Sequence, residues 1–123
     1  IIVEKEKVTF INSEYSKEKI LEIIKKYKYT RFPVYSGTKD NIIGVLNIKD
    51  IIINNENDDI KQFIREPLFV SGKDNIDEIF KSMQLNNKHI AIVKNAEGKV
   101  EGMITMEDII EKLHGNILDE FDS

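Results

Sequence analysis

Apolar residues recur along the chain with two different periods, and the same order of periods occurs twice. In each half, a stripe at helical spacing is followed by two short apolar runs typical of buried strands and then by a second helical stripe. The helical stripes are Ile20, Ile23, Ile24 and Tyr27, then Ile48, Ile51 and Ile52, and in the second half Ile76, Ile79, Phe80 and Met83, then Met106, Ile109, Ile110 and Leu113.

The strand-like runs predict one β-hairpin in each half, because each pair of runs flanks a polar turn that contains glycine, SGTKDN in the first half and KNAEGK in the second. A further apolar piece precedes each first helix, VTFI from Val8 and PLFV from Pro67. The hairpin runs are RFPVY and IIGVLN in the first half, and HIAIV and VEGMIT in the second.

The order β-α-β-β-α therefore occurs twice, which predicts a mixed α/β (α+β) fold. We expect a first repeat at 1–58 and a second at 59–123, packed through their sheets with pseudo-twofold symmetry into one compact module. NNENDD, from Asn54, is the expected acidic connector. Matching stripes lie 56 residues apart in the first helices and matching hairpin residues 58 apart, which predicts a two-residue insertion near QLNNK.

Composition narrows the class of protein. The 123 residues carry a net charge of −4 and no cysteine, so disulfides and cysteine-ligated zinc are excluded and nucleic acid is disfavoured as a partner. The basic stretch KKYKYTR contains aromatic residues, a combination found in nucleic-acid-binding proteins. Tyr27, however, belongs to the apolar stripe of the first helix, and the net charge of the chain is negative. No apolar run reaches the roughly 18 residues of a membrane span. The chain begins at Ile1 instead of a methionine and ends in the charged LDEFDS. We therefore expect it to be a piece of a longer protein.

One short sequence motif occurs in both halves, LNIKDII at 46–52 and ITMEDII at 104–110, and is called the repeated phrase below. A glycine stands three residues before the Asn or Thr of each phrase, Gly44 and Gly102. Glycine at these positions allows another group to approach the backbone closely.

The polar residues of the phrase have two possible roles. Asn47 and Thr105 stand where a helix N-cap is expected, and Asp50 and Asp108 follow in the first turn, where free amides favour a carboxylate. Capping alone accounts for these residue types. Alternatively, a hydroxyl and a carboxylate on one turn can bind the diol of a ribose, with amides nearby for a phosphate. The residues alone leave both roles open.

The repeated order, together with YTRFPVY, HIAIV and GMITMEDIIEKLHGNILDEFD, resembles a tandem CBS-domain pair, also called a Bateman module, of the hemolysin C/CorC-like magnesium and cobalt efflux family. The likeness covers about residues 8 to 122. It implies a homodimeric regulatory module on the cytoplasmic side of the membrane, attached to a transporter domain. It also implies that AMP or ATP binds in a cleft between the two repeats, with magnesium only as the counter-ion of ATP.

The resemblance also implies roles for individual residues. Thr105 and Asp108 match the ribose-contacting pair, and Arg31 matches the basic residue that meets the phosphates. Asn47 replaces the usual Thr or Ser, so the first repeat is expected to hold only a weaker second site. The residues implied to line the main site are Gly102, Met103 and Ile104, and those of the weaker site are Asn47, Asp50 and His89.

Other chemistry has little support. His89, aligned with Arg31, and His114, expected near a helix C-terminus, lack a second ligand at zinc spacing. The tail with Asp119, Glu120 and Asp122 is expected to be a solvated acidic end without a metal. No phosphate loop or nucleophile motif occurs, so we expect no catalytic residues. The alternative function is a ligand-free dimerisation scaffold of a membrane protein.

Overall fold

A computed structural model describes residues 1–53 and 59–122, with side chains described as far as Gly115. Within these ranges the chain forms two β-sheets and four α-helices, which confirms the mixed α+β fold. The strands are β1 (Val3–Glu4), β2 (Ile11–Asn12), β3 (Arg31–Ser36), β4 (Thr38–Asn47), β5 (Phe69–Ser71), β6 (Ile90–Lys94) and β7 (Val100–Thr105), and the helices are α1 (Lys17–Tyr27), α2 (Ile48–Ile53), α3 (Ile76–Leu85) and α4 (Met106–Asp122).

The chain divides into two compact units. The first-repeat unit is Thr9–Pro67, and the second-repeat unit combines Ile1–Val8 with Leu68–Ser123. Ile1–Val8 join the second-repeat unit because β1 pairs with β7, and the residues up to Pro67 join the first-repeat unit because Arg65 pairs with Val45. The expected connector NNENDD falls, except for Asp59, outside the described residues.

The first-repeat unit is built on a three-stranded sheet in the order β2-β3-β4. β2 runs parallel to β3, and β3 pairs antiparallel with β4 through the predicted hairpin. Ser16 caps α1 by accepting the N–H of Lys19 at 3.1 Å. Full burial of a large aliphatic or aromatic side chain stabilises a fold by about 1.5–3 kcal/mol. The buried core of this unit is Ile11, Ile20, Phe32, Val34, Leu46 and Ile60.

The second-repeat unit has the same arrangement with one more strand, in the order β1-β7-β6-β5. β5 is parallel to β6, β6 is antiparallel to β7, and Asn75 caps α3 by accepting the N–H of Glu78 at 2.9 Å. Its buried core is Ile79, Met83, Ala91, Val93, Ile104 and Ile109.

The N-caps reveal that the two repeats are aligned differently from the predicted spacing. Ser16 and Asn75 lie 59 positions apart, as do the buried Ile20 and Ile79 that follow them. The insertion predicted near QLNNK is therefore wrong. Ile76 and Ile79 both fit the apolar stripe, so periodicity alone could not fix the phase of α3. The spacing falls to 58 only in β4 and β7, where Gly44 and Gly102 occupy equivalent positions.

Helix α4 is longer than the apolar pattern indicated. It continues past Gly115 to Asp122, so His114 lies inside the helix and its expected place near a C-terminus is wrong. A glycine within a helix costs only about 1 kcal/mol relative to alanine, which the rest of the helix can offset. The tail side chains lie outside the described residues. None of the helices in the described ranges combines the length and the apolar character that a membrane span requires.

Each sheet is extended at its outer edge by a segment that is distant in sequence. Val3 of β1 lies opposite Met103, and Arg65 lies opposite Val45, with two backbone N–H···O bonds of 2.9 Å between Arg65 and Val45. A Cβ on Gly102 would collide with the carbonyl oxygen of Val3, and one on Gly44 would collide with the Ile64 side chain and the Arg65 carbonyl. The expected close approach at these glycines is thus confirmed, and the approaching group is the chain itself.

We expect Gly102→Ala to lower the free energy of unfolding by about 1–3 kcal/mol, since the added methyl group overlaps the backbone of β1. Chemical denaturation monitored by circular dichroism measures the change. The matched control is Gly115→Ala, where a Cβ meets nothing within 4 Å and the helix gains propensity. Equal stability of Gly102→Ala and the parent protein would contradict the close approach.

Candidate functional site

The two copies of the repeated phrase start a helix in the same way. Thr105 Oγ1 accepts the N–H of Asp108 at 3.1 Å, and Asn47 Oδ1 accepts the N–H of Lys49 at 2.9 Å. Asn47 is buried and Thr105 is half-buried. The capping role left open by the sequence is therefore present in both repeats.

A backbone hydrogen bond also fixes each helix start against the residue that precedes β3 or β6. The N–H of Ile48 donates to the carbonyl of Thr30 at 2.9 Å, and the N–H of Met106 donates to the carbonyl of His89 at 2.8 Å. In α4, the amides of Met106 and Asp108 are thus already engaged within the protein. A phosphate at this helix start would meet fewer free amides than an uncapped helix offers.

The first-turn carboxylates have different surroundings in the two repeats. Arg65 donates from Nε to Asp50 Oδ2 at 2.9 Å and from Nη2 to Asp50 Oδ1 at 2.7 Å. Within the described residues, no ion pair reaches the carboxylate of Asp108. The two copies of the phrase share a backbone geometry but differ in whether the carboxylate is neutralised.

The residues before Thr105 form the inner part of the candidate site. Gly102 is buried against β1, and Ile104 is part of the hydrophobic core of its own unit. Met103 and Thr105 are half-buried and alternate with these residues along β7. In the run Gly102 to Thr105, Met103 and Thr105 therefore have the more accessible side chains.

Arg31 belongs to the first-repeat unit, unlike the pair Thr105 and Asp108. It begins β3, is half-buried, and lies opposite Asn47 in the strand register. The first-repeat unit therefore places Arg31 beside its own helix start, which carries Asn47 and Asp50.

The predicted alignment of His89 with Arg31 is wrong by one residue. Arg31 lies opposite Asn47, whereas Ile90 lies opposite Thr105, the equivalent of Asn47. His89 corresponds to Thr30, whose carbonyl has the same role at the helix start. The error arose because the strand spacing is 59, not 58, at this point.

The sequence did not indicate Arg65 as a site residue. Arg65 lies in FIREP, outside both predicted repeats' strands and helices, and its contact with Asp50 spans 15 positions. Only the register of its backbone against Val45 brings the two side chains together. The only sign in the sequence is a basic residue shortly before β5. It belongs to no periodic pattern, so nothing in the sequence links it to Asp50.

An open concavity of about 770 Å³ lies elsewhere in the second-repeat unit, between the turn after β5 and the β6–β7 hairpin. None of the predicted site residues lines it, and its lining carries both signs of charge, including Lys94, whose Nζ is 4.2 Å from the Phe69 ring centroid. Among the described residues, no group of three or more His, Asp or Glu side chains could hold a metal ion. The helix start at Thr105 therefore remains the candidate site.

Comparison with known proteins assigns the two repeats. The family model described as "CBS domain" matches twice, at residues 3–54 and 59–115. The chain is a tandem pair of CBS domains. This CBS pair is 35% identical to hemolysin C of Brachyspira hyodysenteriae and 32% identical to the magnesium and cobalt efflux protein CorC of Pasteurella multocida, in each case over 99% of its own length.

The CBS pair spans less than half of these relatives, 46% of hemolysin C and 42% of CorC. Among solved structures it resembles the CBS domain of a bacterial CNNM/CorC family Mg²⁺ transporter in complex with ATP. The TM-score is 0.86 and the identity 28%, covering 94% of this chain and 84% of that one.

We expect Thr105→Val to lower the free energy of unfolding by about 0.5–2 kcal/mol, because valine keeps the shape but cannot accept the N–H of Asp108. Thr105→Ser retains the acceptor and is the control. Urea denaturation compares the three proteins. If Thr105→Val were as stable as Thr105→Ser, the hydroxyl would not be acting as a cap.

Proposed function

We propose that this CBS pair is a regulatory module that binds AMP or ATP at Thr105 and Asp108 and controls an attached magnesium and cobalt transporter. The observation that carries the proposal is the Asp108 carboxylate, half-buried beside Thr105 and without an ion pair among the described residues. The ATP complex of a related CBS domain supports the class of ligand.

The proposed contacts follow from hydrogen-bonding capacity. A carboxylate accepts through two oxygens, so Asp108 can bind both hydroxyls of a ribose. The Thr105 oxygen accepts the N–H of Asp108, which leaves its O–H available as a donor to the ligand. The capping hydrogen bond therefore positions the Thr105 hydroxyl and the Asp108 carboxylate, and both can still bind a ligand.

The remaining contacts complete the proposal. Arg31 supplies the positive charge for the phosphates, as a guanidinium binds phosphate oxygens in pairs. The backbone of Gly102, Met103 and Ile104 borders the nucleotide. Magnesium enters with ATP, coordinated largely by its phosphates.

The proposed mechanism of control is linkage. A nucleotide shifts the equilibrium between two arrangements of the module only by its differential affinity for them, and the attached transporter responds to that shift. The module would act on the cytoplasmic side of the membrane, where adenine nucleotides are held. No catalytic residue is part of the proposal.

Self-association is the second element of the proposal. Ile52 and Ile53 of α2 are 74% and 76% exposed, and Ile110 of α4 is 51% exposed. Contiguous exposed apolar surface, such as that of the adjacent Ile52 and Ile53, often marks a protein–protein contact. A ligand-free dimerisation scaffold is the competing function, and the capping role of Thr105 is the observation that favours it.

A nucleotide binder should be stabilised by about 2.7 kcal/mol when AMP or ATP is present at a hundred times its dissociation constant, whereas a scaffold should gain nothing. Asp108→Asn should weaken binding about 10- to 100-fold, the worth of a hydrogen bond to a charged group. Asp50→Asn is the matched control and should have the smaller effect. Thermal unfolding and calorimetric titration measure both quantities, and equal losses in the two variants would overturn the assignment to Asp108.

We expect the CBS pair to sediment as a dimer and Ile52→Glu or Ile110→Glu to shift it toward the monomer, because a charge buried in an apolar interface is unfavourable. Leu85→Glu is the control, since Leu85 is 88% exposed at the end of α3, outside α2 and α4. Sedimentation velocity over a range of concentrations measures the change. A monomeric parent protein, or an equal effect of all three variants, would contradict this interface.

A further inference from the structure

The Arg65–Asp50 contact has the geometry of a specific recognition pair. Both carboxylate oxygens of Asp50 are engaged, at 2.9 Å by Nε and at 2.7 Å by Nη2. Such two-pronged contacts between a guanidinium and a carboxylate are geometrically restrictive, in contrast to a single exposed ion pair. The Asp50 side chain is 17% exposed and that of Arg65 is 58% exposed, so the pair lies at the surface of the first-repeat unit.

The backbone holds Arg65 in place for this contact. Arg65 forms two hydrogen bonds with Val45 on β4, and Gly44 provides the space for the segment to approach. The preceding 3₁₀ turn, Ile60–Phe63, is fixed by the buried Ile60. The guanidinium is thus delivered to the first turn of α2 by a paired, anchored segment.

We propose that Arg65 withholds Asp50 from nucleotides, so that the CBS pair binds one adenine nucleotide per chain, at the second repeat. This inference rests on the proposed function of Thr105 and Asp108. The two adjacent hydroxyls of a ribose need the same pair of carboxylate oxygens, in the same forked arrangement, that Arg65 occupies. Arg65 also neutralises the charge that makes a carboxylate a strong acceptor.

In the described part of the second-repeat unit, no basic residue takes the place of Arg65. Val3 stands opposite Met103 in the register that Arg65 has opposite Val45, and valine carries no donor. The edge segment completes the sheet in both units but blocks the carboxylate in only one. The two repeats thus differ in two independent ways, at the edge segment (Arg65 or Val3) and at the cap (Asn47 or Thr105). Both differences favour nucleotide binding at the second repeat.

Calorimetric titration of AMP tests the inference through the number of molecules bound per chain. We expect one for the parent protein and two for Arg65→Met, the added site being at Asp50 in the first repeat. Asn47→Thr combined with Arg65→Met restores the full phrase and should tighten the added site further. Adding Asp50→Asn to Arg65→Met should abolish it.

Lys61→Met is the charge-matched control, because it removes one exposed positive charge from the same segment. Among the described residues, Lys61 contacts a carboxylate only through its backbone N–H, which donates to Asp59 Oδ1. It should still bind one AMP. Circular dichroism confirms that each variant is folded.

The possible outcomes separate this inference from the proposed function. Two AMP molecules on the parent protein would overturn the role of Arg65 and leave nucleotide binding intact. So would one AMP on the parent, on Arg65→Met and on Asn47→Thr combined with Arg65→Met. Binding by the Arg65 variants but not by the parent would support the role of Arg65 and overturn the site at Asp108. No binding by any of the proteins would overturn both.

Discussion

The close approach of two backbone segments at Gly44 and Gly102 is the constraint on which the two units depend. Each glycine lies on the strand that leads into a capped helix, and each lets a distant segment pair with that strand. A side chain at either position would push the segment away and open the sheet edge. The repeated phrase is thus first a structural device, in which a glycine admits the edge segment and a polar side chain starts the helix three residues later.

Local features of the fold could be predicted from the sequence, whereas those that depend on distant pairing could not. The apolar stripes indicated α1 to α4, and the paired runs indicated both hairpins, because these signals lie within a few residues of one another. The phase of α3 was misplaced because Ile76 and Ile79 fit the same stripe, and only the cap at Asn75 decides between them. The pairing of Val3 with Met103 spans almost the whole chain, and no local pattern in IIVEKEK announces it.

The candidate site shows the same division between local and distant effects. Thr105 and Asp108 are neighbours on one turn, so their relation could be predicted, and so could the weaker match at Asn47. The state of the Asp50 carboxylate depends on Arg65, which the edge segment brings in from 15 positions away. A pair that looks nearly symmetrical in sequence is therefore asymmetrical in charge, and the asymmetry favours a single site on the second repeat. Capping and ligand binding are compatible there, because the Thr105 oxygen accepts from the helix while its proton stays available.

The most direct test of a single site on the second repeat is an NMR titration of the ¹⁵N-labelled CBS pair with AMP, following the backbone amides of Asp50 and Asp108. The amide of Asp108, bonded to Thr105 Oγ1, should shift in proportion to occupancy, while that of Asp50 stays in place. Shifts of equal size at both amides, or at Asp50 alone, would contradict the asymmetry. An unchanged spectrum at saturating AMP would contradict nucleotide binding itself.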